Sequence, residues 1–312
     1  MGIAKAIIEV RFERPDWPFN PGQRLFLNCR KFGPRIWQPV TITSSPQDQF
    51  LSIHFSARSS LGRTLRNAPF PTDVDIEDAV SNLQPSGFRI DGPYGKMPND
   101  ILDYDITILV AEGRGIFPWM AYLKNLWFKT QQPPLASPTS ATSSRVSFLE
   151  GAWSSRSKAA DRGLPGIHLI WTCYDTELFD SVQALLLILE KDMSAATSLT
   201  RYLKLQIHID QIIDHDTMMN IVLNSVGSDV DPITGLRTKS FWFKPNYGSG
   251  LRRIRDQEIK ETEHTGYDRK RKIDIGVYYC GPHNAAKPVK NACRNSADSE
   301  ARVRFRNICL YQ

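Results

Sequence analysis

The residues with the clearest chemical potential lie in one short stretch, Ile106-Thr-Ile-Leu-Val-Ala-Glu-Gly-Arg-Gly-Ile-Phe-Pro118. Ile106 to Val110 is an apolar, β-branched run of buried-strand length. Gly113 and Gly115 follow at once. Pro118 then opens a segment in which Trp119, Met120, Leu123, Leu126 and Trp127 recur at helical spacing, and proline suits a first helical turn. Strand, glycine turn and helix together offer backbone N–H groups and a helix N-terminus to a phosphate. Two glycines also suit a plain strand–turn–helix connection, so spacing alone leaves both readings open.

The elements that must carry this stretch follow from the rest of the chain. Its 312 residues suggest two domains, and 41% hydrophobic residues suffice for a sizeable core. The net charge of +6 suits anionic ligands such as dinucleotides but is too diffuse to point to nucleic acid. No apolar run approaches the roughly 20 residues of a membrane span, and no secretory signal is visible. The five cysteines (Cys29, Cys173, Cys280, Cys293 and Cys309) are scattered, read as reduced cytosolic thiols, and show no metal spacing.

Residues 1 to about 60 read as short strands: Ala4 to Phe12, Arg24 to Asn28, Trp37 to Pro46 and Phe50 to Ser56, with a turn at Asn20-Pro-Gly22. That spacing predicts a small antiparallel barrel. A helix starts between Ser59 and Arg66, and Phe88 to Gly95 closes this half, so a boundary is expected near residue 100. Thr130 to Leu164, rich in Ser, Thr, Pro and Ala, reads as a flexible insertion. Beyond it come strands at Gly166–Cys173, Leu203–Ile209 and Gly276–Pro282, with a helix over Leu178–Asp192. Strands alternating with helices predict a parallel sheet with helices on both faces. Arg252 to Lys272 is highly charged and reads as a solvated helix and loop.

With these pieces in order, the chain resembles the C-terminal dehydrogenase region of the NADPH oxidases, most closely the fungal ones, within the ferredoxin-reductase-like flavoproteins. Pro21-Gly-Gln23 is similar to the family's "PGQY". Trp37-Gln-Pro-Val-Thr-Ile-Thr-Ser-Ser-Pro46 is similar to "WHPFTITSAP", and Leu51-Ser-Ile-His-Phe55 to "ISVHI". Asp91-Gly-Pro-Tyr-Gly95 resembles "DGPFG", and Val110 to Pro118 falls where "VGAGIGVTP" belongs. Trp171-Thr-Cys-Tyr-Asp175 resembles "WICRD", Ile233-Thr-Gly-Leu-Arg237 "ITGLK/R", and Phe243-Lys-Pro-Asn-Tyr247 "GRPNW". Cys280-Gly-Pro282 matches "CGP".

The resemblance implies an antiparallel FAD-binding β-barrel over residues 1–100. A parallel-sheet α/β domain binding NADPH would follow over residues 101–312, with the insertion at about 130–164. It implies hydride passage from NADPH to FAD. Electrons then go onward to haem and oxygen, with superoxide as product. The haem sits in an upstream membrane domain absent from this chain, and cytosolic regulators are further partners. The chain itself would be soluble, at the cytosolic face of that membrane. By the same resemblance Gln38, Pro39, Val40, Thr41, His54 and Ser56 lie at the flavin. Gly113, Arg114, Gly115, Ile116, Phe117 and Pro118 form the nucleotide loop. Cys280, with Gly281 and Pro282, approaches the nicotinamide as the catalytic cysteine; a buried, inert strand-end thiol is the other reading. His54 also reads as a half-buried strand histidine, and Arg237 and Lys244 as either 2′-phosphate ligands or solvated loop cations.

The chain departs from the family pattern at cofactor positions. Gln38 replaces histidine, Val40 an aromatic, and Ser56 an arginine expected at the flavin pyrophosphate. Gly62 stands where Ser or Thr meets phosphate. Glu112 brings a carboxylate to the nucleotide loop, Arg114 adds a cation there, and Phe117 replaces threonine. Tyr174 replaces a basic residue at the 2′-phosphate, which predicts weak discrimination between NADPH and NADH. These departures keep open a second class of function, a diverged copy serving as an interaction or regulatory module. The terminal Cys309-Leu-Tyr-Gln312 has the outline of a prenylation box, though Tyr311 is not aliphatic.

Overall fold

The computed structural model describes residues 7–29, 36–66, 88–95, 97–131, 166–194, 203–210, 227–263, 272–298 and 300–308, with 219, 221 and 223 singly. Thr130 and Gln131, the first two residues of the expected flexible insertion, are helical instead, and the rest of that stretch and the terminal cysteine lie outside the described residues. The chain divides into two compact units, one built from Met1–Met97 with Phe117–Phe128, the other from Pro98–Ile116 with Lys129–Leu310.

The first unit is antiparallel, as expected. Strand β1 (Ile7–Glu13) pairs with β4 (Phe50–Ser56), and β2 (Arg24–Cys29) lies between β3 (Trp37–Thr41) and β5 (Phe88–Tyr94). A bridge between Ile42 and Ile53 joins the two sheets. β4 alternates strictly between buried and half-buried residues. This is how a strand with one covered face is built. Leu25, Leu27, Val40, Ile42, Leu51, Ile53 and Phe55 form the core with Leu61 of helix α1 (Ser60–Arg66). The first turns of helix α2 (Ile116–Gln131) pack in this unit: the ring of Phe117 lies 5.1 Å from that of His54, and Lys124 pairs with Asp48 at 2.7 Å.

The second unit holds a six-stranded parallel sheet, and its described helices include α3 (Thr176–Ser194), α4 (Tyr247–Glu263) and α5 (Ala286–Ser296). Its order is β11 (Ala301–Asn307), β10 (Ile273–Cys280), β6 (Ile106–Glu112), β7 (Gly166–Cys173), β8 (Leu203–Ile209), β9 (Phe241–Trp242). All seven residues of β6 are buried. Its apolar, non-alternating sequence is what a strand covered on both faces requires. Ile170 packs with α4 and α5, while the next residue, Trp171, stacks on Phe179 of α3 at 5.8 Å. Neighbouring strand residues point to opposite faces, so helices cover both.

The charged run beginning at Arg252 is less solvated than its composition suggests. Its helix begins five residues earlier, where the Asn246 side chain caps it by accepting from the Ser249 N–H at 3.1 Å. Tyr247, Leu251 and Ile254 then fall on one face and are buried. Glu258 continues that face and meets His168 at 3.0 Å and Lys204 at 2.7 Å. Among the described residues no helix is long and apolar enough to cross a membrane.

Candidate functional site

In the parallel sheet the strands end together, and the chemistry-bearing residues of the second unit collect at those C-terminal ends, the general location of ligands in such sheets. β6 ends in Glu112, followed by one 3₁₀ turn, Gly113–Gly115, that leads into α2. Gly113 has φ +52, a left-handed conformation that favours glycine. A Cβ on Gly115 would lie 2.0 Å from the Cys280 carbonyl oxygen, so the turn presses on the end of β10 and admits no side chain. Gly281 is hemmed in likewise, its Cβ position 2.8 Å from Glu112 Cβ. The buried indole of Trp171 donates to the Gly113 carbonyl at 3.1 Å and fixes the turn from below. Arg114 is exposed, whereas Ile116, Phe117 and Pro118 are buried.

Glu112 is only 5% exposed, and its carboxylate is held by two phenols. The Tyr174 hydroxyl donates to one oxygen at 3.0 Å and the Tyr247 hydroxyl to the other at 2.9 Å. Burial, then the Glu112 charge, push both phenols well above the ordinary tyrosine range, which keeps them protonated as donors. The carboxylate is thus tied to tyrosines on both oxygens. Tyr174 lies against Gly113, and the Lys244 ammonium sits 5.3 Å from its ring centroid. Lys244 also pairs loosely with Asp210 at 3.6 Å.

Arg237 is held away from this group. Its N–H and that of Thr238 donate to Glu190, both at 2.7 Å. Glu190 lies 14 residues beyond the first residue of α3, about 21 Å along the helix from the Tyr174 end. Asp231 shapes this loop by accepting from Thr234 and Ser240, whose hydrogen bonds outweigh its burial and hold its carboxyl below the usual range. Cys280 is buried at 2% exposure at the end of β10, Gly281 is half-buried, and Pro282 is exposed and accepts from the Tyr279 hydroxyl at 2.9 Å.

In the first unit, Gln38 and Thr41 are half-buried and Pro39 is exposed, while Val40 packs into the core. Gln38 donates to Ser60 Oγ at 3.0 Å. His54 is half-buried and shares a 2.7 Å hydrogen bond with Thr43. Burial lowers its pKa; Glu9 opposes the shift, while Arg11 and Lys124 add to it. Ser56 Oγ accepts from the Arg58 N–H at 3.2 Å, a local turn contact. A Cβ on Gly62 would fall 2.3 Å from the Ser56 carbonyl oxygen, so the turn after β4 excludes any side chain there. The serine or threonine expected at that point is therefore barred by backbone packing.

The structure brings Glu112, Gly113, Tyr174, Gly281 and the unforeseen Tyr247 into one cluster. Tyr247 stands at a helical spacing from Leu251 and Ile254, a signal for burial but not for its partner 135 residues away. Among the described residues no His, Cys, Asp and Glu group could hold a metal ion.

Comparison with known proteins gives two adjoining family matches. Residues 3–98 match an FAD-binding domain, and residues 104–294 match the ferric reductase NAD binding domain. The chain is 27% identical over 300 residues to NADPH oxidase 3 of Rattus norvegicus, covering 95% of this chain and 45% of that protein. It is 25% identical over 292 residues to a superoxide-generating NADPH oxidase heavy chain of Dictyostelium discoideum, covering 92% of this chain and 48% of that one. It thus spans less than half the length of these relatives. A ferredoxin NADP+ reductase from Neisseria gonorrhoeae with bound FAD and NADP shares the fold, with TM-score 0.50, 12% identity, and coverage of 97% of this chain and 93% of that one.

Proposed function

Because the chain belongs to the ferric reductase NAD-binding family and carries an FAD-binding domain ahead of it, we propose that it is an NADPH oxidase-type dehydrogenase module. In this reading it takes reducing equivalents from NADPH through FAD and hands them to a haem-bearing membrane partner that reduces oxygen to superoxide. The observation that supports it best is the cradle at the ends of β6 and β10. Gly113 is left-handed, and Gly115 and Gly281 leave no room for a Cβ, so this turn before helix α2 keeps the side-chain-free backbone that a pyrophosphate-binding turn needs.

The residues present suit a dinucleotide there. Gly113 to Gly115 would hold the pyrophosphate, with exposed Arg114 offsetting its charge. Tying both Glu112 oxygens to Tyr174 and Tyr247 limits the repulsion of a carboxylate so close to phosphate. Tyr174 would border the adenosine ribose. Gly281 and Pro282 would border the nicotinamide, beside the buried Cys280. On the flavin side, Gln38, Pro39 and Thr41 would present the strand edge. Bound NADPH supplies a hydride and FAD accepts it; the protein's share is orientation and electrostatics. Ser56 and Gly62 favour a second reading, a diverged interaction module. One carries no charge and the other no side chain where a flavin pyrophosphate would be met.

The test is reconstitution of purified protein with FAD, followed by anaerobic addition of NADPH. The first reading expects a bound flavin band that bleaches on addition. Protein that takes up no flavin, or a bound flavin that NADPH leaves oxidised, overturns it and leaves the module reading.

A further inference from the structure

Phe243 is placed at odds with ordinary packing. It is the only non-glycine with positive φ among the described residues, at +69, and it is 72% exposed. A bulky residue in this conformation is strained, and glycine would adopt it freely. The backbone is pinned from both sides: its N–H donates to the Ile209 carbonyl at 3.0 Å, and its carbonyl accepts from His208 Nδ1 at 3.1 Å. Glycine would make both bonds equally well. The phenyl ring therefore costs strain and gains little burial within the chain, and such outliers cluster at ligand sites.

Its position says which ligand. β8 and β9 run parallel with His208 opposite Phe241 and Ile209 opposite Trp242, so Phe243 emerges past the C-terminal end of β9. The next residue, Lys244, reaches the Tyr174 ring, and Tyr174 lies against Gly113. Gly113, Tyr174 and Lys244 are thus in contact at the strand ends, and Phe243 is the residue before Lys244 in the chain. Tyr174 already has Gly113 and the Lys244 ammonium as neighbours, while Phe243 offers an aromatic ring that is 72% exposed.

We propose that Phe243 is a binding residue on which the adenine ring of the dinucleotide stacks, with the ammonium of the following residue, Lys244, serving the adenosine phosphates. This rests on the dinucleotide reading of the site. Aromatic stacking suits any purine because every base presents a π-face.

The experiment compares wild type, Phe243→Gly and Phe243→Trp in binding NADPH, ADP and inorganic pyrophosphate by calorimetry, together with their melting temperatures. Phe243→Gly should melt higher, since the strain is relieved, yet bind ADP and NADPH about tenfold more weakly. Its pyrophosphate affinity should not change, and Phe243→Trp should keep ADP binding. A Phe243→Gly protein that binds ADP as the wild type does overturns the proposal and leaves Phe243 as a strained surface residue. A wild type that binds NADPH but shows no such difference refutes this inference alone. A wild type that binds neither NADPH nor ADP refutes the dinucleotide reading and the inference with it.

Discussion

Replacing Gly115 with alanine probes the cradle directly. The added methyl would sit 2.0 Å from the Cys280 carbonyl oxygen and 2.5 Å from its carbon. A carbon–oxygen contact ordinarily needs about 3.3 Å, so the turn or the end of β10 must retreat by roughly 1.3 Å. Neither yields easily. The turn is held by the Trp171 indole at 3.1 Å from the Gly113 oxygen, and Cys280 is paired in register with Ala111 of the fully buried β6. Overpacking against flexible side chains costs about 1–3 kcal/mol, and a backbone wall belongs at the upper end. The lower unfolded-chain entropy of alanine returns about 0.4–1 kcal/mol. A net loss of about 2 kcal/mol corresponds to a fall of roughly 4–8 °C in melting temperature for a unit of this size. Gly250→Ala is the control. Nothing lies within 4 Å of its Cβ position inside helix α4, and better helix propensity should raise stability by up to about 1 kcal/mol. Thermal melts of both variants followed by circular dichroism decide the matter. A Gly115→Ala protein that melts within a degree of wild type would show that the close approach of turn and strand does not exist.

Two further outcomes follow from individual contacts. Tyr174→Arg should shift binding toward NADPH over NADH by several-fold, since a charge-assisted contact exceeds a neutral one by about 1 kcal/mol. Because Glu112 stands 3.0 Å from the Tyr174 hydroxyl, it will claim part of the new charge, and adding Glu112→Gln should enlarge the shift; competitive calorimetry showing no change in the ratio in either variant contradicts this. Burial would raise the Glu258 carboxyl, but hydrogen bonds from His168 and Lys204 outweigh it and hold the group below its ordinary value of 4.5. A depressed carboxyl stabilises the fold fully above that value and loses the contribution as pH falls through the folded value. Glu258→Gln should therefore cost about 2 kcal/mol near neutrality, and the gap from wild type should narrow progressively in melts taken as pH falls below 4.5; a gap that stays constant with pH rules this out.

Much of the fold was legible because its signals are local. The unbroken apolar run of Ile106–Val110 specifies a strand covered on both faces, and the structure puts it between β10 and β7. The alternation in Phe50–Ser56 specifies one covered face, as found. The ordered series of short motifs identified the two cofactor domains, since each motif is a local backbone requirement preserved in sequence. What the chain does with its departures was not legible. Glu112 alone reads as a carboxylate misplaced at a phosphate turn; only the fold brings Tyr174 and Tyr247 to its two oxygens from 62 and 135 residues away. Gly62 alone reads as a lost hydroxyl, whereas packing against the Ser56 carbonyl leaves no space for any side chain. Arg237 alone reads as either a 2′-phosphate ligand or a solvated loop cation, and only the fold shows its backbone N–H bound to Glu190 of α3. Phe243 reads as one more aromatic until its backbone angle and exposure are known. Periodicity encodes which face of an element is buried. The partners of a polar side chain and the space beside a glycine depend on segments far apart in the chain, and those are set only when the strands assemble.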